Sequence, residues 1–458
     1  MSVSLARIRG ATRRASRQPG AHEASRTSER TYVLAASFSH ALVHAVELTY
    51  AALLLSIGAE FGGDLLLLGV FANIGGFAFG LGALPAGFLV DRYGSVIILR
   101  LTLITTAAAA IVVAIAPTAV MFGVALALLG VSAGLYHPAG FAMLARTVRR
   151  ARNVGLHGMI GNLGIAGAPA VAVALAAAFD WRAAYFLLGA LAAVGFLATL
   201  RLDGRGPVPA RARSLPVKPS PPPAQALPQD PAATATAGAT RPATSPTVSI
   251  DQLPFRYRWL PLILIYTAFI VNGFIYRGSI TFMPTLLQEE VTFSLFGWSG
   301  TAVAGALTTF ALLGGAVGWY AGGFLADRYP KRRMRIIWLL TMLSVPSLLV
   351  ISVTSNVALL LALTFFIVTN FAMAPSFVTL VADFTAPGRL GVSFGATFFL
   401  SFGLGSFAAT FSGAVADAWG TGAVFAILSI VAVLSLANAT ALMILGRSIV
   451  RVLHPEQR

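Results

Sequence analysis

Twelve apolar stretches occupy most of this chain, each near the roughly 20 residues that an α-helix needs to cross a bilayer. They run at 33–58, 66–90, 96–116, 119–144, 156–178 and 183–201, and again at 259–287, 301–326, 335–353, 357–382, 390–413 and 421–446. In hydrocarbon the backbone finds no water, so each run must close its own hydrogen bonds as a helix. Composition agrees: 57% of the 458 residues are hydrophobic and 10% are charged, where a soluble domain carries about 25% charged residues. The 45 glycines suit helices that approach closely, because apolar side chains gain little by leaving lipid for one another.

The two series are copies of one unit. Gly87-Phe88-Leu89-Val90-Asp91-Arg92-Tyr93 returns 236 positions later as Gly323-Phe324-Leu325-Ala326-Asp327-Arg328-Tyr329, each time where an apolar run ends. A duplicated membrane unit of about six helices points to a carrier. Asp91 and Asp327 end their helices where a carboxylate can meet a neighbouring helix N-terminus or a basic side chain, and so latch one state.

The net charge of +16 is spread over short connections and tails, which reads as orientation in a membrane and not as a nucleic-acid surface. Arg146, Arg149, Arg150 and Arg152 follow the fourth run, and Lys331, Arg332, Arg333 and Arg335 follow the eighth. The opposite connections carry Glu60, Asp64, Glu289 and Glu290. The positive-inside rule then places both termini in the cytoplasm of a multi-pass protein of the cell inner membrane. The organisation expected is a basic tail at 1–32, six helices at 33–203, a Pro/Ala/Thr-rich flexible linker at 204–257, six helices at 258–447 and a tail at 448–458. The linker has too little apolar mass to offset its ordering entropy.

Zero cysteines exclude disulfides and thiolate metal sites, and six histidines scattered along the sequence argue against a zinc centre. No Gly-rich Lys-Ser/Thr loop marks a nucleotide-driven pump, and no nucleophile-base-orienter set marks an enzyme. The expected partners are a small-molecule substrate, protons and lipid, around a monomer without a cofactor.

Polar residues inside the apolar runs are the functional candidates. His40, His44 and Glu47 follow one another at spacings of four and three, on one helical face. A carboxylate at that depth costs at least a few kcal/mol unless it faces the protein interior or water. Two readings stand: Glu47 exchanges protons while His44 and His40 tune or relay them, or Glu47 is a paired carboxyl that holds helices together. Arg277, with Tyr276 and Asn272 beside it, either holds an anionic substrate through two hydrogen bonds or pairs with Glu47. Tyr136, His137, Trp319, Tyr320 and Asn370 are further candidates for the path; the alternatives are packing between bundles for Tyr136, a structural kink at His137-Pro138, lipid contact for Trp319 and Tyr320, and helix–helix hydrogen bonding for Asn370. Gly161, Gly164, Gly167 and Pro169 make a narrow fifth helix suited to close packing. His157, next to a basic loop, is expected in a surface or hydrogen-bonding role and outside the substrate site.

On these residues the chain resembles the major facilitator superfamily over about 33–203 and 258–447. The resemblance implies an all-α, twelve-helix membrane fold of two six-helix bundles that rock around a central path. Gly87, Asp91, Arg92 and Gly94 match the family's loop motif, with Ser95 at a position expected to be basic. Gly323, Asp327 and Arg328 match it again, with Pro330 in place of the second glycine. Gly134-Leu135-Tyr136-His137-Pro138 looks like the Tyr-His-Pro segment of fosmidomycin-resistance-type exporters. The stretch from Gly158 to Pro169 is similar to the glycine-proline fifth helix of proton-coupled antiporters, from which Ala168 departs. The resemblance implies export of a small organic compound, an anion or an antibiotic, by proton antiport. Proton-coupled uptake of an organic anion and a transporter-like receptor are the alternatives.

Overall fold

The computed structural model describes residues 20–62, 65–204, 206–207, 259–294, 300–386 and 388–453. Most of the expected linker, the first 19 residues and the last five lie outside these. The first half comprises α1 (Gly20–Phe61), α2 (Leu65–Tyr93), α3 (Ser95–Ala114), α4 (Ala119–Gly134), α5 (Tyr136–Leu144), α6 (Arg150–Ala178) and α7 (Arg182–Thr199). The second comprises α8 (Leu260–Glu290), α9 (Thr301–Arg328), α10 (Arg333–Val353), α11 (Asn356–Phe384), α12 (Leu390–Phe398), α13 (Phe407–Trp419) and α14 (Thr421–Leu453).

Twelve crossings result, because two spans are each built from two helices. The fourth breaks at Leu135 between α4 and α5, and Pro138 sits in the first turn of α5, where a missing N–H costs nothing. The eleventh passes from α12 through a π-helical turn at Phe399–Gly403 and a 3-10 turn at Leu404–Ser406 into α13. Among the described residues 11 spans are long and apolar enough to cross a membrane. The remaining crossing is α1, over the apolar run 33–58.

The helices form two bundles in contact, with apolar cores around Phe122, Leu99 and Tyr185 in one and Leu348, Phe366 and Phe425 in the other, all fully buried. The bundles meet along two equivalent seams, α2 against α12 and α6 against α9. The glycine that opens each repeated motif lies in a seam. A Cβ added at Gly87 would stand 2.9 Å from the Cα of Val392, and one added at Gly323 would stand 2.7 Å from the Cα of Gly155. Both are closer than real Cβ contacts come, so the repeated glycines set how near the two halves approach.

Candidate functional site

One helical turn separates His40 from His44 on α1, and Glu47 lies almost a turn further on, so the three side chains form a row. In the row the Nδ1 of His44 is 3.0 Å from Oε2 of Glu47 and its Nε2 is 3.0 Å from Nε2 of His40. The Nδ1 of His40 is 3.1 Å from the carbonyl oxygen of His157. At the other end, Arg277 on α8 donates from a guanidinium nitrogen to Oε1 of Glu47 at 3.1 Å. A single hydrogen-bonded line thus runs from the middle of one bundle into the other.

Two more histidines close around it. The ring of His157 stacks on that of His40 with centroids 3.9 Å apart and planes 7° apart, while His137 stands edge-on to His40 at 5.3 Å and to His44 at 5.4 Å. His40, His44, His137 and His157 therefore gather at one place, which corrects the expectation of scattered histidines; of the two roles expected for His157 the hydrogen-bonding one is seen and the surface one is not. His157 is fully buried. The reason is a helix crossing: a Cβ at Gly161 would run into the His40 ring, and His157 lies one turn before Gly161 on the same face of α6. The face shared by His157, Gly158 and Gly161 was the sequence signal for this contact.

Counting protons along the row gives its charge. Glu47 and the His157 carbonyl both accept, so three hydrogen bonds between them need three protons, and two neutral imidazoles carry only two. The geometry is satisfied when one further proton is present, either on Glu47 or as an imidazolium. Without it an acceptor faces an acceptor in a buried place, at a cost of about 1–3 kcal/mol. The donor from Arg277 favours the arrangement of carboxylate plus imidazolium. Tyr136 donates to the carbonyl of Ala36 and so accepts from Nε2 of His157 at 2.6 Å. His157 is then neutral, with its Nδ1 unpartnered, and buried His137 likewise has no partner for Nδ1. Nitrogens of His40, His44 and His137 lie within 4.8 Å of one another, a span that a metal ion can bridge, but His40 and His44 already spend both nitrogens on the row.

Two cavities flank this line. A central pocket of about 130 Å³ between the bundles is walled by His40, His44 and His137 together with Asn162, Asn272, Tyr276, Trp319 and Asn370. Phenylalanines fill most of the rest of its wall, and the π-helical turn after α12 presents Ser401 and Phe402 to it, beside Phe398. A second cavity of about 450 Å³ contains Glu47, Arg277, Asn73 and Thr281 in its wall. The histidines thus touch one cavity and the ion pair touches the other, and the row passes through the partition.

Of the residues singled out in the sequence, His137, Asn272, Tyr276, Trp319 and Asn370 stand at the central pocket. Arg277 does not; it is engaged with Glu47 in the second cavity. Tyr136 has no exposure and braces His157 against α1. Tyr320 is 43% exposed and absent from the pocket wall, since the residue after Trp319 lies about 100° further round its helix. On α6, Gly158 meets Trp319, Gly161 meets His40 and Gly164 meets Ala41, whereas nothing lies against Gly167; Pro169 is accommodated within an unbroken α6. Asn162, passed over in the sequence, is 1% exposed and donates to the carbonyl of Leu312 at 2.6 Å across the seam.

The face that carries the basic connections is closed. Asp91 accepts from the backbone N–H groups of Gly391 at 2.7 Å and Val392 at 2.8 Å, capping the first turn of α12 from the other bundle. Arg150 on α6 pairs with Asp383 on α11, which Arg333 also holds at 3.1 Å. Among the described residues Asp327 makes no side-chain hydrogen bond, so the second motif does not repeat the cap. At the opposite face, Glu60 accepts from Trp181 and Arg182 at 2.6 Å each, a tie within one bundle. No polar side-chain link joins the two bundles at that face among the described residues.

Solved transporters share this architecture. A fucose:proton symporter from E. coli superposes with a TM-score of 0.61 at 14% identity, over 90% of this chain and 99% of that one. A structure of the fucose transporter in an outward conformation gives 0.63 at 14% identity, again over 90% and 99%. A proton:xylose symporter bound to 6-bromo-6-deoxy-D-glucose gives 0.67 at 13% identity, over 90% and 95%. At such identities the likeness is one of fold. Among curated proteins no sequence match was found. The comparisons reach the superfamily and not the finer likeness to fosmidomycin-resistance-type exporters carried by the Tyr-His-Pro segment. The fold is that of a non-enzymatic, multi-pass membrane transporter, and the sequence profile of the Major Facilitator Superfamily matches residues 34–410. The chain belongs to the Major Facilitator Superfamily.

Proposed function

We propose that this protein is a proton-coupled secondary transporter that takes up a small organic anion across the cell inner membrane, with both termini in the cytoplasm. One observation carries the reading: the row from Glu47 to His157 is satisfied only with one extra proton. With that proton aboard, Arg277, Glu47 and the row sum to one uncompensated positive charge between the bundles. An unpaired charge in a site of low dielectric is costly. A monoanion in the central pocket, against His40 and His44, removes the imbalance. Proton and anion then stabilise each other, and each raises the affinity for the other by the same factor.

That mutual stabilisation is the requirement for symport. The loaded site favours a state in which the bundles close over it and open at the basic face, with release of the Asp91 cap and the Arg150–Asp383 pair. Loss of the proton to the cytoplasm leaves Glu47 and Arg277 neutralising each other, and the anion loses its counter-charge. Export by antiport is the second reading, favoured by the glycine-proline character of α6; it requires proton and solute to exclude one another, as a cationic solute would.

Sealed proteoliposomes with an imposed pH gradient test the choice. Symport predicts that an organic anion accumulates on the side toward which protons flow. Solute movement against the proton flow overturns the reading in favour of antiport.

A further inference from the structure

Resting on the transport reading above, we infer that the substrate is a monocarboxylate built on a single planar six-membered ring. Size is the first argument. The central pocket measures about 130 Å³, close to the ~150 Å³ engineered cavity that holds one benzene molecule. One ring with a small substituent matches that volume.

Shape is the second. Two pairs of aromatic rings belong to the wall. Phe398 and Phe402 lie with planes 14° apart and centroids 6.0 Å apart, and Trp319 lies against Phe371 at 6.0 Å with planes 34° apart. Such rings reward a flat guest that offers its own face or edge, by about 0.5–1.5 kcal/mol per aromatic pair beyond area burial. A puckered ring forfeits most of that.

Polarity is the third. A monosaccharide presents hydroxyls around its whole rim, and each needs a partner when buried. The wall offers few free polar groups, and they are amides. Asn272 spends its oxygen on Ser435 at 3.1 Å and leaves its N–H groups unpaired; Asn370 makes no side-chain hydrogen bond among the described residues; Oδ1 of buried Asn162 has no partner. Amide N–H groups on one side are the donors that a single carboxylate takes up, and the extra proton of the His40–His44 row, whose ring nitrogens are already engaged, gives it a counter-charge on another. No lysine or arginine lines this pocket, so a dianion would lack its second counter-charge.

The test is a binding and flux panel on the purified full-length protein in proteoliposomes. Benzoate and nicotinate are compared with cyclohexanecarboxylate, which keeps the charge but not the plane, with nicotinamide, which keeps the plane but not the charge, with 2-naphthoate, and with fucose and xylose. Benzoate or nicotinate is expected to bind about tenfold tighter than each of the others, the size of one good aromatic contact, with that preference seen in flux as well. Phe398→Leu should narrow the gap between benzoate and cyclohexanecarboxylate. Equal binding of those two acids by the unmodified protein overturns the inference. Proton-driven flux of fucose or xylose in place of the acids overturns it together with the anion part of the transport reading, and leaves proton-coupled transport intact; proton-driven flux of cyclohexanecarboxylate equal to that of benzoate overturns it alone. Benzoate flux without proton movement supports the pocket assignment and overturns the coupling.

Discussion

The two bundles are duplicates in fold and opposites in chemistry. The first holds every histidine among the described residues, together with Glu47. The second contributes the balancing cation Arg277, the amides Asn272 and Asn370 and the rings Trp319, Phe371 and Phe398. Duplication thus supplied a symmetric scaffold, and on the function proposed here divergence assigned proton handling to one half and solute contact largely to the other. Coupling must then cross the boundary between halves, and the bond from Arg277 to Glu47 is where the titratable row does so. The closing contacts diverge in the same way: Asp91 caps a helix of the opposite bundle, and Asp327, its counterpart, caps nothing among the described residues.

The largest effect expected from breaking this division is at Glu47. Glu47→Gln should lower gradient-driven accumulation by at least about a hundredfold, as expected from losing some 3 kcal/mol of buried charge interaction. Solute counterflow without a gradient should persist. Gradient-driven accumulation that survives in folded Glu47→Gln protein would place coupling elsewhere. Next comes Arg277→Met, which leaves a carboxylate without its cation. Because both groups border a cavity, the cost should be about 1–3 kcal/mol and not the full price of a dry pair, read as a lowered Tm. Glu47→Gln combined with Arg277→Met should recover much of that Tm without recovering coupling. A double variant no more stable than Arg277→Met alone would show that the pair is not the link between halves.

The two motif aspartates sharpen the comparison at a smaller scale. Asp91→Asn should speed hydrogen exchange at the Gly391 and Val392 amides by about fivefold to tenfold, the size of losing a helix cap worth about 1 kcal/mol. Asp327→Asn should leave exchange at the N-terminus of α6 within about twofold. Equal responses would restore the symmetry that the geometry denies. The smallest effect concerns Glu60, whose carboxyl is held below its ordinary value by the hydrogen bond from Arg182. A carboxyl with a lowered folded value stabilises above its unfolded value, near 4.5, and that contribution is lost as pH falls through the folded value. The pair is exposed, so less than about 1 kcal/mol is at stake. The Tm difference between the unmodified protein and Glu60→Gln should shrink from pH 6 to pH 3 (about two pH points spanning that range).

Much of the fold was legible because membrane helices declare themselves locally. An apolar run of the right length must become a helix wherever it lies, and the repeated motif announces the duplication. The row on α1 was legible for a similar reason, since spacings of four and three put His40, His44 and Glu47 on one face. His157 was not, because its burial depends on α6 pressing against α1 at Gly161, a contact between segments 117 positions apart. The break at Leu135 was half legible, since Pro138 signals a kink in the fourth span but not the residue at which the helix is interrupted.

The chain alone, then, determined the helices, their number, their duplication and the rarity of charge within them, because each follows from a run of neighbouring residues meeting lipid. Tertiary structure alone decided which groups share a proton, which cavity each one faces and which aspartate closes a gap between bundles. Those outcomes rest on distances of about 3 Å between side chains far apart in sequence, and hydrogen bonds fall away within a fraction of that distance. Such proximity is set by how helices cross, and at Gly161 the crossing is close because a side chain is absent.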